Sequence, residues 1–543
     1  MPTEEHTLSV LPLSAASRVR WALVGFLATM LLGGAHLALG AGHAFNEGWL
    51  RGDSGWYLAQ IQQLIEGRML YSEVATPYGP IPYYWQACFA YCFGNTPAVF
   101  LWGQIFVLGF ANAIASMVLR TSFSSGSAIL LLAVAILPFH YRGIFSIYTP
   151  WVVLQLMGMV ALWRSPVEKR AGLEWGIGML LGIGQLLKFG HFVLFGAGLL
   201  LVDLLAVAAV RERKEFRFSH LFRRWIRFGS GFFIIEIIWS GILLVSLPSG
   251  IAWDAIWPAY QKDAYQSVFG PNERLWSGLF HLPTTVFLGR LLPMLLLLVI
   301  LVACLIRQVS GRGSNGERKV LGWAIGPFSF LVGSVILLTN VNAFFLYFWL
   351  WSGSIVWAYS LALKVIKLGA VAVGSALLLL LPLSWWNSRH GVPCEVGPGI
   401  KLVVGEERIS ALRELDLELQ RRPELRDGTL VLRWRGLVAF RGIQTPGRHV
   451  YPLPGWVRGH EGEQLERDLS QLRYILAERN SKNAALLNSE SGSIESRFSQ
   501  WSELPVPYRE LLAGRSGEAF AIGDHWICVP LEVSPTENPS SGS

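Results

Sequence analysis

Charge is scarce in this chain. Only 15% of its 543 residues are Asp, Glu, Lys or Arg, while 52% are hydrophobic. That balance excludes an ordinary soluble enzyme of this size and fits a protein with many membrane spans. Cysteine is scarce too. The five cysteines (Cys88, Cys92, Cys304, Cys394 and Cys528) form no CxxC, which excludes the usual cysteine-based zinc and redox motifs. Cys88 and Cys92 stand in an apolar segment and read as small buried residues. No clear internal repeat is visible, so the usual sign of a transporter built from inverted halves is missing. The net charge is +8, but no basic face interleaved with aromatics accompanies it, which excludes nucleic acid as a partner.

What the chain does have is long apolar runs, a mean hydropathy of +0.42 and 23 Trp. Runs that could cross a bilayer of roughly 20 helical residues occur at 21–42, 98–119, 126–145, 147–163, 172–187, 190–208, 226–247, 284–306, 320–339, 343–363 and 368–385, eleven in all. Basic clusters check the count. With Arg18 and Arg20 on the cytoplasmic side, Arg120, Arg164 with Lys169 and Arg170, Arg211 to Arg227, Arg307 to Lys319 and Lys364 with Lys367 all fall on that same side. The first run ends in LALGAG, which resembles a signal-peptidase site, but its length and the parity of the count read it as a retained helix.

The expected organisation is therefore a cytoplasmic N-terminus over 1–20 and a membrane domain over 21–386. Two outer loops, 43–97 and 248–283, an outer domain over 387–533 and a disordered tail over 534–543 complete it. The outer domain mixes apolar stretches such as TLVLRWRGLVAF with the helical-looking EGEQLERDLSQLRYILAERN. It reads as a soluble α/β or α+β domain with its own core. Cys394 and Cys528 bracket it, either as a disulfide in an oxidising compartment or as two separate buried thiols.

The first outer loop is the most informative segment. It begins RGDSGWYLAQ, and apolar residues then recur at helical spacing (Trp56, Tyr57, Ile61, Leu64, Ile65), predicting an amphipathic helix in the membrane interface. Gly67 ends it, and YSEVATPYGPIPYY turns the chain back. Asp53 thus stands at the N-terminal edge of the helix, as a helix cap or as a reactive carboxylate.

Asp53, Tyr57, Gly67, Leu70-Tyr71 and Tyr78-Gly79-Pro80, in this order after a first span, resemble the GT-C superfamily of membrane glycosyltransferases. The likeness is strongest to the dolichyl-phosphate-mannose protein mannosyltransferase and lipid A aminoarabinose transferase branch (glycosyltransferase 39/83-like). The span pattern, a lysine within LGIGQLLKFGHFVLF and an outward C-terminal domain agree with it. Several members carry a second acidic residue beside the loop Asp. Here the neighbour is Ser54, so Asp53 is read as a single base without a metal. The tail segment AFRGIQTPGRHVYPLPG is similar to a turn in bacterial relatives, where it would shape the acceptor site or serve as a plain turn.

The resemblance implies a GT-C type polytopic α-helical protein of the bacterial inner membrane, with about 11 transmembrane helices and an extracytoplasmic C-terminal domain. Its activity would be the transfer of a hexosyl or pentosyl group from a polyprenyl-phosphate sugar donor to a cell-envelope acceptor outside the membrane. No cofactor is expected. Asp53 would act as general base with inversion at the sugar. Lys188, flanked by apolar residues at the outer end of its span, is the leading contact for the donor phosphate or a snorkelling lysine. Arg142 and Arg290, also at outer ends of spans, are further candidates, and Tyr57 and Tyr78 would border the substrate. His140 and His191 read as packed or interfacial. The second outer loop offers Asp254, Lys262, Asp263, Glu273 and Arg274, as a cover for the site or as a solvated loop. The alternative reading is a transporter or flippase in which Asp53 and Lys188 are pathway charges; a non-catalytic scaffold is the third.

Overall fold

The computed structural model describes residues 15–39, 45–122, 146–163, 170–188, 218–257, 391–449, 462–480, 483–488, 492–501 and 504–532, with Gly196, Leu200, Ile306 and Ser310 as isolated positions. Among the described residues up to 257, every regular element is helical. In order these are α1 (Ala15–Leu39), α2 (Gly48–Arg51), α3 (Asp53–Ile65), α4 (Pro80–Phe93), α5 (Pro97–Ser122), α6 (Thr149–Trp163), α7 (Arg170–Gln185), α8 (Phe218–Ser246) and α9 (Ser249–Ile256).

Among the described residues, three stretches are long and apolar enough to cross a membrane: Ala15–Ala35, Pro97–Met117 and Phe222–Ser246. They correspond to three of the eleven expected spans. Two more, 147–163 and 172–187, appear as α6 and α7, described as helix over 15 and 16 residues. The other six lie outside the described residues.

Small residues set how these helices pack. Gly25 meets Ser116 and Gly33 meets Ile105, so α1 and α5 are antiparallel. Gln155 Nε2 donates to the Leu180 carbonyl and Gly176 meets Leu162, which makes α6 and α7 antiparallel as well. α7 and α8 instead run parallel. Glu174 pairs with Arg224 and Arg227 at their starts, while Gly182 meets Ile235 further along.

From residue 391 strands enter. β1 (Val392–Gly397) and β2 (Ile400–Val404) form an antiparallel hairpin, followed by α10 (Glu406–Arg421). β3 (Thr429–Val431), α11 (Gly436–Arg441), α12 (Gly462–Ser470), β4 (Tyr474–Glu478), α13 (Ile494–Ser499), α14 (Val506–Ala513), β5 (Phe520–Ile522) and β6 (Trp526–Pro530) complete the region. The sheet order is β3-β4-β6-β5, with β3 and β4 parallel and the other pairs antiparallel. The long helix expected over 461–480 therefore stops at Ser470. The run YILAE, aromatic and branched at its start, becomes the central strand because both its neighbours bury it.

Cys394 and Cys528 are both free thiols. Cys394 faces Leu402 in the hairpin, whereas Cys528 lies between Leu476 and Phe520 in the other sheet. The disulfide alternative is thereby replaced by two separate thiols; Cys304 lies outside the described residues.

The C-terminal region has a core of its own, with Leu465, Ile475, Trp501 and Ile527, and is also joined to the first loop. One hydrophobic core includes Leu50, Trp56 and Leu58 of the first loop together with Leu402, Leu412, Trp434 and Trp526. The backbone joins too: Val403 N donates to the Phe45 carbonyl at 2.7 Å and Ala75 N to the Arg448 carbonyl at 2.7 Å. The amphipathic helix expected in the interface is α3, and this roof changes its setting. Ser54 through Ile61 are all buried, so no face remains open along that stretch.

Candidate functional site

α3 begins abruptly because Gly52 is extended, with φ −86° and ψ −177°, after the short turn of α2. Trp49 and Leu50 anchor that turn in the core. Asp53 is the first helical residue, where a carboxylate complements the positive end of the helix. Its side chain remains 71% exposed, and its Oδ1 accepts from Arg435 Nη1 at 3.0 Å. Arg435 comes from the turn before α11, and its own side chain is only 13% exposed.

One helical turn after Asp53, Tyr57 is buried. Its ring stacks on Phe100 at 6.3 Å and lies 6.1 Å from that of Tyr78. Burial, then the neighbouring Tyr148 and the Asp53 carboxylate, push the Tyr57 hydroxyl well above its ordinary range. Beside it runs a buried polar chain. The Tyr83 hydroxyl donates to Gln60 Oε1 at 2.7 Å and accepts from Thr76 Oγ1 at 3.0 Å, and Gln60 Nε2 donates to the Ala75 carbonyl at 2.7 Å.

The Leu70-Tyr71 and Tyr78-Gly79-Pro80 residues form one tight unit. Tyr71 adopts φ +70°, a conformation that bulky residues rarely take, and its hydroxyl donates to the Tyr78 carbonyl at 2.9 Å. Gly79 N donates to the Leu187 carbonyl at 3.0 Å and Ile81 N to that of Leu186 at 3.2 Å. A Cβ on Gly79 would overlap the Leu186 backbone, so this turn requires glycine. The latch sets the next residue, Lys188, against the loop. Its Nζ lies 4.0 Å from the centre of the Tyr148 ring and 5.3 Å from that of Tyr78.

Tyr57, Tyr78, Tyr148 and Lys188 thus form one cluster, with the Tyr148 ring 4.8 Å from that of Tyr78 and Asp53 one helical turn before Tyr57. Gln185 Nε2 also donates to the Ile256 carbonyl, so the start of the second outer segment adjoins the same place. No family model matches the chain. No curated protein matches it either.

Arg142, Arg290, His140 and His191 lie outside the described residues, as do Lys262, Asp263, Glu273 and Arg274. Asp254 sits in α9. Among the described residues, no three His, Cys, Asp or Glu side chains gather as a metal ion would require.

Sequence reasoning missed three residues. Tyr148 gave a weak signal, as an aromatic at the head of an expected span. Glu236 is a carboxylate within α8, three residues before Trp239, whose ring meets that of Tyr71 at 6.3 Å. A charge at membrane depth is a functional pointer that was readable in the sequence. Arg435 gave no signal, because it stands inside the apolar stretch TLVLRWRGLVAF. In the structure β3 ends at Val431 and a helix begins at Gly436.

Proposed function

We propose that this chain transfers a sugar from a polyprenyl-phosphate-linked donor to an acceptor at the outer face of the bacterial inner membrane. One observation carries the reading: a carboxylate (Asp53) one helical turn before Tyr57 and an ammonium (Lys188) against Tyr78 and Tyr148, distant in sequence, border one tyrosine cluster. The acceptor hydroxyl would attack the anomeric carbon while Asp53 takes its proton. The bond from that carbon to the phosphate oxygen breaks, and the polyprenyl phosphate leaves with the electron pair beside Lys188. A single displacement inverts the anomeric centre. General-base assistance of this kind is worth roughly 10²–10⁴ in rate.

We propose eleven crossings in all, three of which are among the described helices. α7 and α8 run parallel, as the proposed span at 190–208 would have them do. The first loop and the C-terminal region touch, so an even number of crossings separates them, as the ten expected spans would. In this reading the N-terminus is cytoplasmic, the C-terminal region is outside, and no cofactor is needed.

The test uses the purified full chain in nanodiscs, a panel of radiolabelled polyprenyl-phosphate sugars and a cell-envelope extract as acceptor. Consumption of one donor with release of polyprenyl phosphate is the expected result. Donor that crosses the bilayer of a proteoliposome without being consumed overturns it in favour of a flippase.

A further inference from the structure

We propose that Arg435 is a positioning residue for Asp53, so that the C-terminal region completes the catalytic site; the inference rests on Asp53 being the base. Arg435 is held from both sides. Trp434 before it is fully buried, with its ring 4.9 Å from that of Trp526. The guanidinium carbons of Arg51 and Arg408 lie 6.0 and 5.8 Å from the Trp434 ring. Gly436 after it rests on the Trp49 backbone. One residue further back, Arg433 takes φ +63°, a conformation that costs a side-chain-bearing residue free energy and is retained where the surroundings demand it.

The charges around this turn divide unequally. Arg51 and Arg408 both reach Glu478, at 2.9 and 2.5 Å, and Arg408 also approaches Glu47 at 3.9 Å. That network closes on itself along the seam. Arg435 instead points to Asp53. The guanidinium is the fixed member of the pair and the carboxylate the accessible one, since they are 13% and 71% exposed. An ion pair with one partner this exposed adds little to stability. What it does supply is orientation: with Oδ1 engaged by Arg435, the carboxylate is held in one rotamer and Oδ2 is the oxygen presented to the acceptor hydroxyl.

The experiment compares donor consumption and thermal unfolding for wild type, Asp53→Asn, Arg435→Gln, Arg435→Lys and the double variant Asp53→Asn with Arg435→Gln, all as full chain in nanodiscs. Misplacing a catalytic group by about 1 Å costs about 10²-fold in rate, so Arg435→Gln is expected to lower kcat by about that factor. Donor KM and unfolding temperature should be nearly unchanged, Arg435→Lys should recover part of the rate, and the double variant should be no slower than Asp53→Asn. The proposal alone is overturned if Asp53→Asn is inactive while Arg435→Gln keeps the wild-type kcat. It is likewise overturned if Arg435→Gln loses rate only together with its fold and lysine restores neither. Full activity of Asp53→Asn removes the base assignment itself, and the role of Arg435 with it.

Discussion

Gly436 lies against Trp49 so closely that a Cβ at Gly436 would overlap the Trp49 carbonyl oxygen. This contact joins the C-terminal region to the loop that carries Asp53. Gly436→Val should therefore force the seam apart, at an overpacking cost of about 1–3 kcal/mol. Hydrogen exchange should then rise in both 45–75 and 430–449. An unchanged exchange pattern would mean that the two segments do not depend on this contact.

Tyr83 is the hub between Gln60 and Thr76. Tyr83→Phe leaves the Gln60 carbonyl oxygen buried without that donor, which costs about 1–3 kcal/mol. Thermal unfolding in detergent should show the loss. Because the network supports the turn at Tyr78, limited proteolysis should also become faster between residues 66 and 79.

Lys188 tests the phosphate assignment separately from the chemistry. A charge-assisted hydrogen bond to phosphate is worth about 1.5–3 kcal/mol, so Lys188→Ala should weaken binding of a short-chain polyprenyl phosphate by about 10–100-fold. Lys188→Arg should keep most of the affinity. Equal affinity in wild type and Lys188→Ala would show that the lysine only packs on Tyr148.

Burial pushes the Cys528 thiol up from 9.0 to about 12. The folded chain therefore favours the neutral thiol, and this stabilisation is fully present below pH 9.0 and lost as the pH rises towards 12. The C-terminal region should unfold at progressively lower temperature above pH 9, and Cys528→Ser should flatten that dependence. At pH 8, iodoacetamide should leave the Cys528 peptide unmodified until denaturant is added.

How much of this was legible in the sequence depends on the range of each interaction. Apolar runs located α1, α5, α6, α7 and α8, whereas α4 and α9 lie in segments that read as outer loops. Residue order around Asp53 and Tyr78 drew attention to the right loop. Lys188 stood out because its flanks are apolar. The setting of α3 was not legible, since helical spacing describes one face and the roof over the other face is supplied by residues hundreds of positions away. Gln60 and Gln63 look like solvent-facing residues in the sequence, yet both are buried. Arg435 was hidden for the same reason: its partner is 382 residues distant. The two thiols of the C-terminal region suggested a bridge only until the strands placed them in different sheets.

The account turns on what Asp53 does. The most direct measurement is the time course of polyprenyl phosphate release by Asp53→Asn and wild type in the same nanodiscs, on the donor that wild type consumes. The account predicts that Asp53→Asn unfolds at a similar temperature and binds donor with similar affinity, yet releases phosphate at least about 10²-fold more slowly. Wild-type release by Asp53→Asn would contradict it and leave Asp53 as the partner that docks Arg435.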